Sequence, residues 1–320
     1  MNTPDLTTWM PVRLLRRSGE EIRLEWCHVG RTRFTEPFFE QDLHQLMRVP
    51  FNILFRQQTT LEEMTAWSRQ SPGIAPTGFV FHMSRCGSTL VSQMLGRLER
   101  HLVLSEPPAL DTLLRATRAW PEERRVEAVR AWFSASAQPR NGEDRFFVKL
   151  DAWHALELPL LRRAFPDTPW IFIHREPVEV LVSSLRQPGH SLIPGAMQDY
   201  LPQFDVHTSV SMPQADYIAQ VLAACCKAAL DQLPCANGLV VEYPELPGAV
   251  TDRIARHFGL SLSPAEIETM NAAASFHAKE PKTSFAPDSE TKRREASAAI
   301  QDACVDFLAP LHQKLRALNA

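Results

Sequence analysis

The chain has 320 residues, enough to bury a sizeable core in one large domain or in a domain with an appendage. Its 34 Lys and Arg against 37 Asp and Glu leave a formal charge of −3, which with 8% aromatic residues excludes a nucleic-acid footprint. No run approaches the roughly 18 apolar residues of a membrane span, and the first residues lack a basic region followed by an apolar stretch, so the expectation is a cytoplasmic protein with no membrane span.

Residues 1–72 differ in character from the rest of the chain. Val12-Arg13-Leu14-Leu15 and Ile22-Arg23-Leu24-Glu25-Trp26 flank Ser18-Gly19 and predict a β-hairpin. An amphipathic helix is expected over Phe39–Met47, after a Thr35-Glu36-Pro37-Phe38-Phe39 segment that reads either as an acceptor-side surface or as a buried aromatic anchor. Breaks at Ser71-Pro72-Gly73 and Ala75-Pro76 close this small cap, and residues 73–320 form the second unit.

That unit opens with Phe79–Met83, an apolar and aromatic run suited to a buried strand, then a tight turn, Ser84-Arg85-Cys86-Gly87-Ser88, then helical spacing from Thr89. Further strands are predicted at His101–Ser105, Phe146–Leu150, Pro169–His174 and Leu239–Glu242. Helices are expected at Leu110–Ala119, Glu122–Ala137, Trp153–Phe165, from Glu176-Pro177 through Arg186, and over Ala215–Leu233. The alternation implies an α/β fold: three layers, a mostly parallel sheet of P-loop nucleotide-kinase-like type, and a small N-terminal β/α appendage. The stretch Gln187–Pro213 reads as an irregular loop. Beyond the last strand, helices are predicted near Val250–Phe258 and Pro264–Ala274, then a polar loop over Phe276–Ser289 and one closing helix from Thr291 to about Leu318.

Two stretches carry chemistry. In the first, Gly87 lets the backbone pass close to a bound group, Ser88 and Thr89 place hydroxyls beside the free amides of a helix start, and Arg85 adds a fork-shaped cation, an arrangement suited to a phosphate or sulfate. Ser88 follows Gly87 where a nucleoside-triphosphate loop needs lysine, so the standard P-loop is not matched. In the second, Arg175 at a strand end and Ser183 eight residues later on the following helix are expected to converge on a separate phosphate site, the alternative being an Arg-Glu surface pair with an incidental serine. Cys86, at the helix start, is where a thiol pKa should fall; a small loop-filling role is preferred to a nucleophilic one. The six cysteines show no C-x-x-C pair and no nearby Cys/His spacing, so reduced thiols and no metal are expected.

With both motifs in view, the chain from about Gly78 to Leu318 resembles the sulfotransferases that use 3′-phosphoadenosine 5′-phosphosulfate (PAPS). The resemblance implies that Arg85-Cys86-Gly87-Ser88-Thr89 holds the 5′-phosphosulfate and that Arg175, Pro177 and Ser183 match the 3′-phosphate motif. It also implies Glu106, which ends the second strand, as the base that activates the acceptor. Capping of the helix after Pro107-Pro108 is its alternative role. Lys149, in a stretch comparable to the family's Lys-Thr-His strand end, is implied as a contact to the bridging oxygen or acceptor, and His154 as a second candidate base. The sequence departs from the family pattern at Arg85, where many members have lysine, and at Leu90, where cytosolic members place tryptophan near the adenine. The C-terminal Arg-Lys-Gly clamp is missing; of the late basic residues Lys279, Lys282, Lys292, Arg293 and Arg294, we take Lys292 and Arg293 as its replacements.

The reading is therefore PAPS-dependent sulfuryl transfer, without a metal, to a hydroxyl or amine of a small-molecule or carbohydrate acceptor. No motif selects among sugar, phenol, lipid and peptide. The alternatives are an ATP-dependent small-molecule kinase of the P-loop fold and a non-catalytic nucleotide-binding protein. The absent Gly-Lys-[Ser/Thr] weakens the first, and the co-occurrence of Arg85, Glu106 and Arg175 weakens the second.

Overall fold

The computed structural model describes residues 5–15, 21–234, 237–277, 280–284 and 288–319, and every element named is one of the described residues. Near the N-terminus β1 (Trp9–Leu15), β2 (Arg23–His28) and β3 (Gln57–Thr60) form an antiparallel sheet in that order. The expected hairpin pairing is present, although its Ser18-Gly19 turn lies outside the described residues. The polar β3 has no apolar alternation to announce it; it is held through Thr59, which accepts a hydrogen bond from Trp26 Nε1 at 2.9 Å. Glu25, buried on β2, sits between Arg13 and Arg56 at 3.2 and 3.3 Å. Three helices complete this part: α1 (Phe39–Leu46), α2 (Pro50–Leu54) and α3 (Leu61–Gln70). The buried Asn52 staples α2 to β2, donating to His28 O and Leu46 O while accepting from His28 N.

The second sheet has five parallel strands, β4 (Pro76–His82), β5 (His101–Ser105), β6 (Arg145–Lys149), β7 (Trp170–His174) and β8 (Gly238–Glu242), in the spatial order β5-β6-β4-β7-β8. Its strands are nearly continuous apolar runs because helices cover both faces. The first crossover, through α4 (Ser88–Leu95), runs from β4 toward β5; those through α5 (Pro108–Ala116) and α6 (Glu122–Ser136), α7 (Leu158–Ala164), and α8 (Pro177–Arg186) with α9 (Val206–Ser211) and α10 (Gln214–Gln232) run the opposite way. Right-handed crossovers therefore place α4 on one face and α6, α7 and α10 on the other, and leave a crevice at the carboxyl end of β4. Under the sheet Phe79, Phe133, Phe146 and Phe165 meet edge to face or tilted, with centroids 5.0–6.1 Å apart for the contacting pairs.

Three expectations fail beyond β7. Gln187–Pro213 is not wholly irregular: 3-10 turns and α9 lie within it, α9 being started by Asp205, whose side chain accepts from Thr208 N at 2.7 Å. After a π-turn (Val250–Ile254), α11 (Ala255–His257) and α12 (Pro264–Ala273), the polar stretch contains an antiparallel pair, β9 (Phe276–His277) and β10 (Glu280–Ser284), where a loop is expected. The closing helix is broken into α13 (Ser289–Glu295), α14 (Ala298–Ala303), a π-turn (Cys304–Leu308) and α15 (Ala309–Asn319). Ser297 caps α14, its hydroxyl accepting from Ile300 N at 3.4 Å, and this internal start signal sets α13 free to turn onto α8. No described helix is long and apolar enough to cross a membrane.

Candidate active site

The loop after β4 is built from left-handed backbone. Ser84, Arg85 and Gly87 have φ of 75°, 50° and 86°, and non-glycine residues in this region are held there only when their surroundings over-determine them. Part of that hold comes from His82, whose Nδ1 accepts from Ser84 N at 3.0 Å. The ring proton is therefore on Nε2, which donates to Leu150 O at 2.9 Å. Gly87 is a packing necessity as well: a Cβ there would meet Leu246 Cδ1 at 2.8 Å and Tyr243 Cδ2 at 2.9 Å. Ser88 and Thr89 are buried at the start of α4. Arg85 reaches across to α8 and hydrogen-bonds the carbonyl and side chain of Gln187. Cys86 fills the loop, fully buried, with Sγ 3.1 Å from Ile173 O. Burial pushes its pKa up to about 12, so the lowered pKa expected from the helix start is not found.

Glu106, Lys149 and His82 meet at the carboxyl edge of the sheet. Glu106 follows β5 with φ 51° and its N–H donates to Lys149 O at 2.7 Å, a strained link that turns its side chain over the end of β6. There it accepts from Lys149 Nζ and lies 3.6 Å from His82 Nε2. Burial alone would raise the Glu106 pKa, but the Lys149 charge, with the His82 ring beside it, outweighs that and holds the carboxyl well below the usual carboxylate range. The capping alternative for Glu106 is not met, since the residue before α5 is Pro107 and no side chain caps that helix. Lys149 is 1% exposed, and its ammonium lies 4.9 Å from the centroid of the Phe38 ring. The aromatic segment before α1 thus borders this group.

Arg175 lies on the other side of the loop, 5% exposed. Its Nε donates to Glu179 Oε2 at 2.7 Å, and its Nη2 contacts Asp288 Oδ1 at 3.1 Å and Ser289 Oγ at 3.0 Å. Lys292, buried on α13, reaches the other Asp288 oxygen at 2.7 Å, and Arg293 Nε pairs with Glu179 Oε1 at 2.8 Å. Burial opposes ionisation of both Glu179 and Asp288, yet these cations lower both pKa values. The expected residues Arg175, Lys292 and Arg293 are therefore brought together around two carboxylates. Ser183 sits half-buried on α8, and the Arg175 guanidinium goes to Glu179, Asp288 and Ser289 instead. Lys279 lies outside the described residues.

His154 stands apart from this arrangement. It is 1% exposed in a 3-10 turn after β6; its Nδ1 accepts from Asp151 N at 3.0 Å, and its Nε2 is 3.5 Å from Asp111 Oδ1 on α5. Two residues at the site were not anticipated. Tyr243, directly after β8, places its ring 4.0 Å from Arg175 Cζ and against Gly87, so it links the two motifs. His82 is the last residue of β4. Both could have been found by asking which side chains each parallel strand delivers at its carboxyl end.

The sulfotransferase family profile matches residues 76–264, more than half of the chain. No curated protein sequence matches it. Similar solved structures include the sulfotransferase STF9 from Mycobacterium avium (14% identity, 77% of this chain and 81% of that chain, TM-score 0.49). Others are the sulfotransferase domain from the curacin biosynthetic pathway (16%, 73% and 97%, 0.43) and the mouse sulfotransferase SULT7A1 complexed with PAP (12%, 81% and 86%, 0.37).

Proposed function

The chain belongs to the sulfotransferase family, and from that premise we propose that it transfers a sulfuryl group from PAPS to a hydroxyl or amine of a small-molecule or carbohydrate acceptor. The observation that carries the proposal is the Glu106–Lys149 pair, with Lys149 buried and Glu106 half-buried at the sheet edge between the phosphate loop and the Phe38 side of the molecule. In this reading the acceptor oxygen or nitrogen attacks sulfur in line, the bond from sulfur to the bridging oxygen breaks, and adenosine 3′,5′-bisphosphate leaves. Glu106 takes the acceptor proton. Arg85, Ser88, Thr89 and the loop amides hold the 5′-phosphate, while Arg175, Ser183, Lys292 and Arg293 serve the 3′-phosphate.

The electrostatics support a sequence of events. Before the donor binds, Lys149 keeps Glu106 ionised but weakly basic. As negative charge grows on the bridging oxygen Lys149 turns toward it, and the burial around Glu106 then raises its proton affinity as the acceptor proton must move. Residues 1–72 are read as an appendage to a catalytic unit at 73–320 that contributes Phe38 to the acceptor side.

The test is transfer of a labelled sulfuryl group from PAPS to a panel of phenols, amines and sugars. Glu106→Gln is expected to lower kcat by roughly 100-fold or more while calorimetry finds adenosine 3′,5′-bisphosphate affinity kept. An active Glu106→Gln protein beside a dead His154→Ala protein would move the base to His154. ATP turnover with magnesium, and none with PAPS, would replace the reading with the kinase.

A further inference from the structure

A second cluster of chemistry-bearing side chains lies at the same sheet edge, on the far side of Arg175. His174 is the last residue of β7, Glu242 the last of β8, and His312 belongs to α15. One ligand-capable atom from each lies within 4.8 Å of the others. The two imidazole rings meet with centroids 5.0 Å apart at 68°. His174 is 0% exposed, and among the described residues neither of its ring nitrogens has a hydrogen-bond partner; Nε2 of His312, 7% exposed, likewise has none among them. Orphaned polar groups in a protein interior are costly and rare, and here three of them belong to two rings that converge on a carboxylate.

Two imidazole nitrogens and a carboxylate oxygen make the ligand set of a borderline divalent metal. The distance from His312 Nε2 to Glu242 Oε1, 3.5 Å, is close to the edge of a tetrahedron with metal bonds of about 2.0–2.1 Å. It is too long for a strong hydrogen bond. The other charged groups facing the cluster are Arg316, 3.4 Å from Glu242 Oε2 on a side chain 61% exposed, and Glu176, which acts on His312.

We propose that His174, Glu242 and His312 bind one zinc-class divalent ion, with water at the fourth position, and that this ion ties α15 to the carboxyl ends of β7 and β8. The ion takes one nitrogen of each ring and the carboxylate, and it fixes the strand end that carries Arg175. It has no part in the transfer chemistry, and the inference does not depend on the proposed donor.

The full chain, stripped with a chelator and dialysed against zinc, should retain one zinc per chain by elemental analysis, and added zinc should raise Tm in a concentration-dependent way. Cobalt in its place should show the strong visible bands of a tetrahedral nitrogen and oxygen site. His312→Ala and Glu242→Gln should each weaken zinc binding by more than the roughly 10–100-fold that loss of an outer-shell partner costs. A wild-type chain that retains no zinc after dialysis, or that binds it no more tightly than His312→Ala, overturns the proposal; the first result stands even if a variant does not fold.

Discussion

Asp288 stands where the 3′-phosphate of the donor is proposed to bind, and Asp288→Asn is the most direct test of that assignment. One carboxylate oxygen meets Arg175 at 3.1 Å and the other meets Lys292 at 2.7 Å, so an arriving phosphate must displace an internal anion. Asparagine keeps the size and suits the helix start that Asp288 occupies, but removes the competing charge. Charged hydrogen bonds contribute about 1.5–3 kcal/mol each. The Asp288 side chain is 51% exposed, and solvent screening brings the sum of its two contacts to the lower end, about 1.5 kcal/mol. Affinity for adenosine 3′,5′-bisphosphate should therefore rise about tenfold, with little change for adenosine 5′-phosphate, which has no group to place there. Arg175→Ala should do the converse, weakening the bisphosphate by about 1.5–3 kcal/mol and sparing the monophosphate. Titration calorimetry with both nucleotides on both variants reads the four numbers. Unchanged or weaker bisphosphate binding in Asp288→Asn, or equal losses for the two nucleotides in Arg175→Ala, refutes the reasoning.

Gly87→Ala should lower stability by roughly 2 kcal/mol, because a left-handed alanine costs about 1–2 kcal/mol and its methyl would lie 2.8–2.9 Å from Leu246 and Tyr243; urea unfolding with wild-type stability would show that the loop relaxes freely. Lys149→Met should cost about 3 kcal/mol at pH 7, the lower end for breaking a buried pair, since the Glu106 side chain is a quarter exposed. The sign with pH comes from the lowered Glu106 pKa: its stabilisation is present above the unfolded value of 4.5 and is lost as pH falls through the folded value. Without Lys149, burial raises the Glu106 pKa instead, so the Tm gap between wild type and Lys149→Met should widen from pH 4 to pH 7. A constant gap would mean that the pair does not set the ionisation of Glu106.

The two segments proposed to hold phosphate could be picked out because each is local, although the Arg175 guanidinium turns to Glu179, Asp288 and Ser289 and not to Ser183. A strand, a tight turn and a helix start place Gly87, Ser88 and Thr89 within one short segment, and Arg175 with Ser183 spans one strand end and two helical turns. Glu106 could be placed at the sheet edge because it ends an apolar run in an alternating α/β pattern and parallel strands deliver such residues to one edge, but the roles given to Glu106 and Lys149 came from resemblance. The choice of Lys292 and Arg293 came from resemblance, and their approach to Arg175 depends on the break at Ser297 that turns α13 onto α8. β3 escaped because its residues are polar and are held by a side-chain bond from Trp26, a contact between segments that no periodicity records.

What the sequence determined by itself was therefore the order of the parallel strands, the parallel sheet and the strand, turn and helix start that follow one another at β4 and α4, all properties of short stretches and their spacing. The tertiary structure alone decided the electrostatic state of the groups. Burial raises the Cys86 pKa in spite of its helix start, and Lys149 and His82 depress the Glu106 pKa against its own desolvation. His174, Glu242 and His312 share no local spacing at all, yet two strand ends and a late helix bring them together. Charge and ligand geometry depend on distances and dielectric between segments far apart in the chain, and only the packed fold sets those.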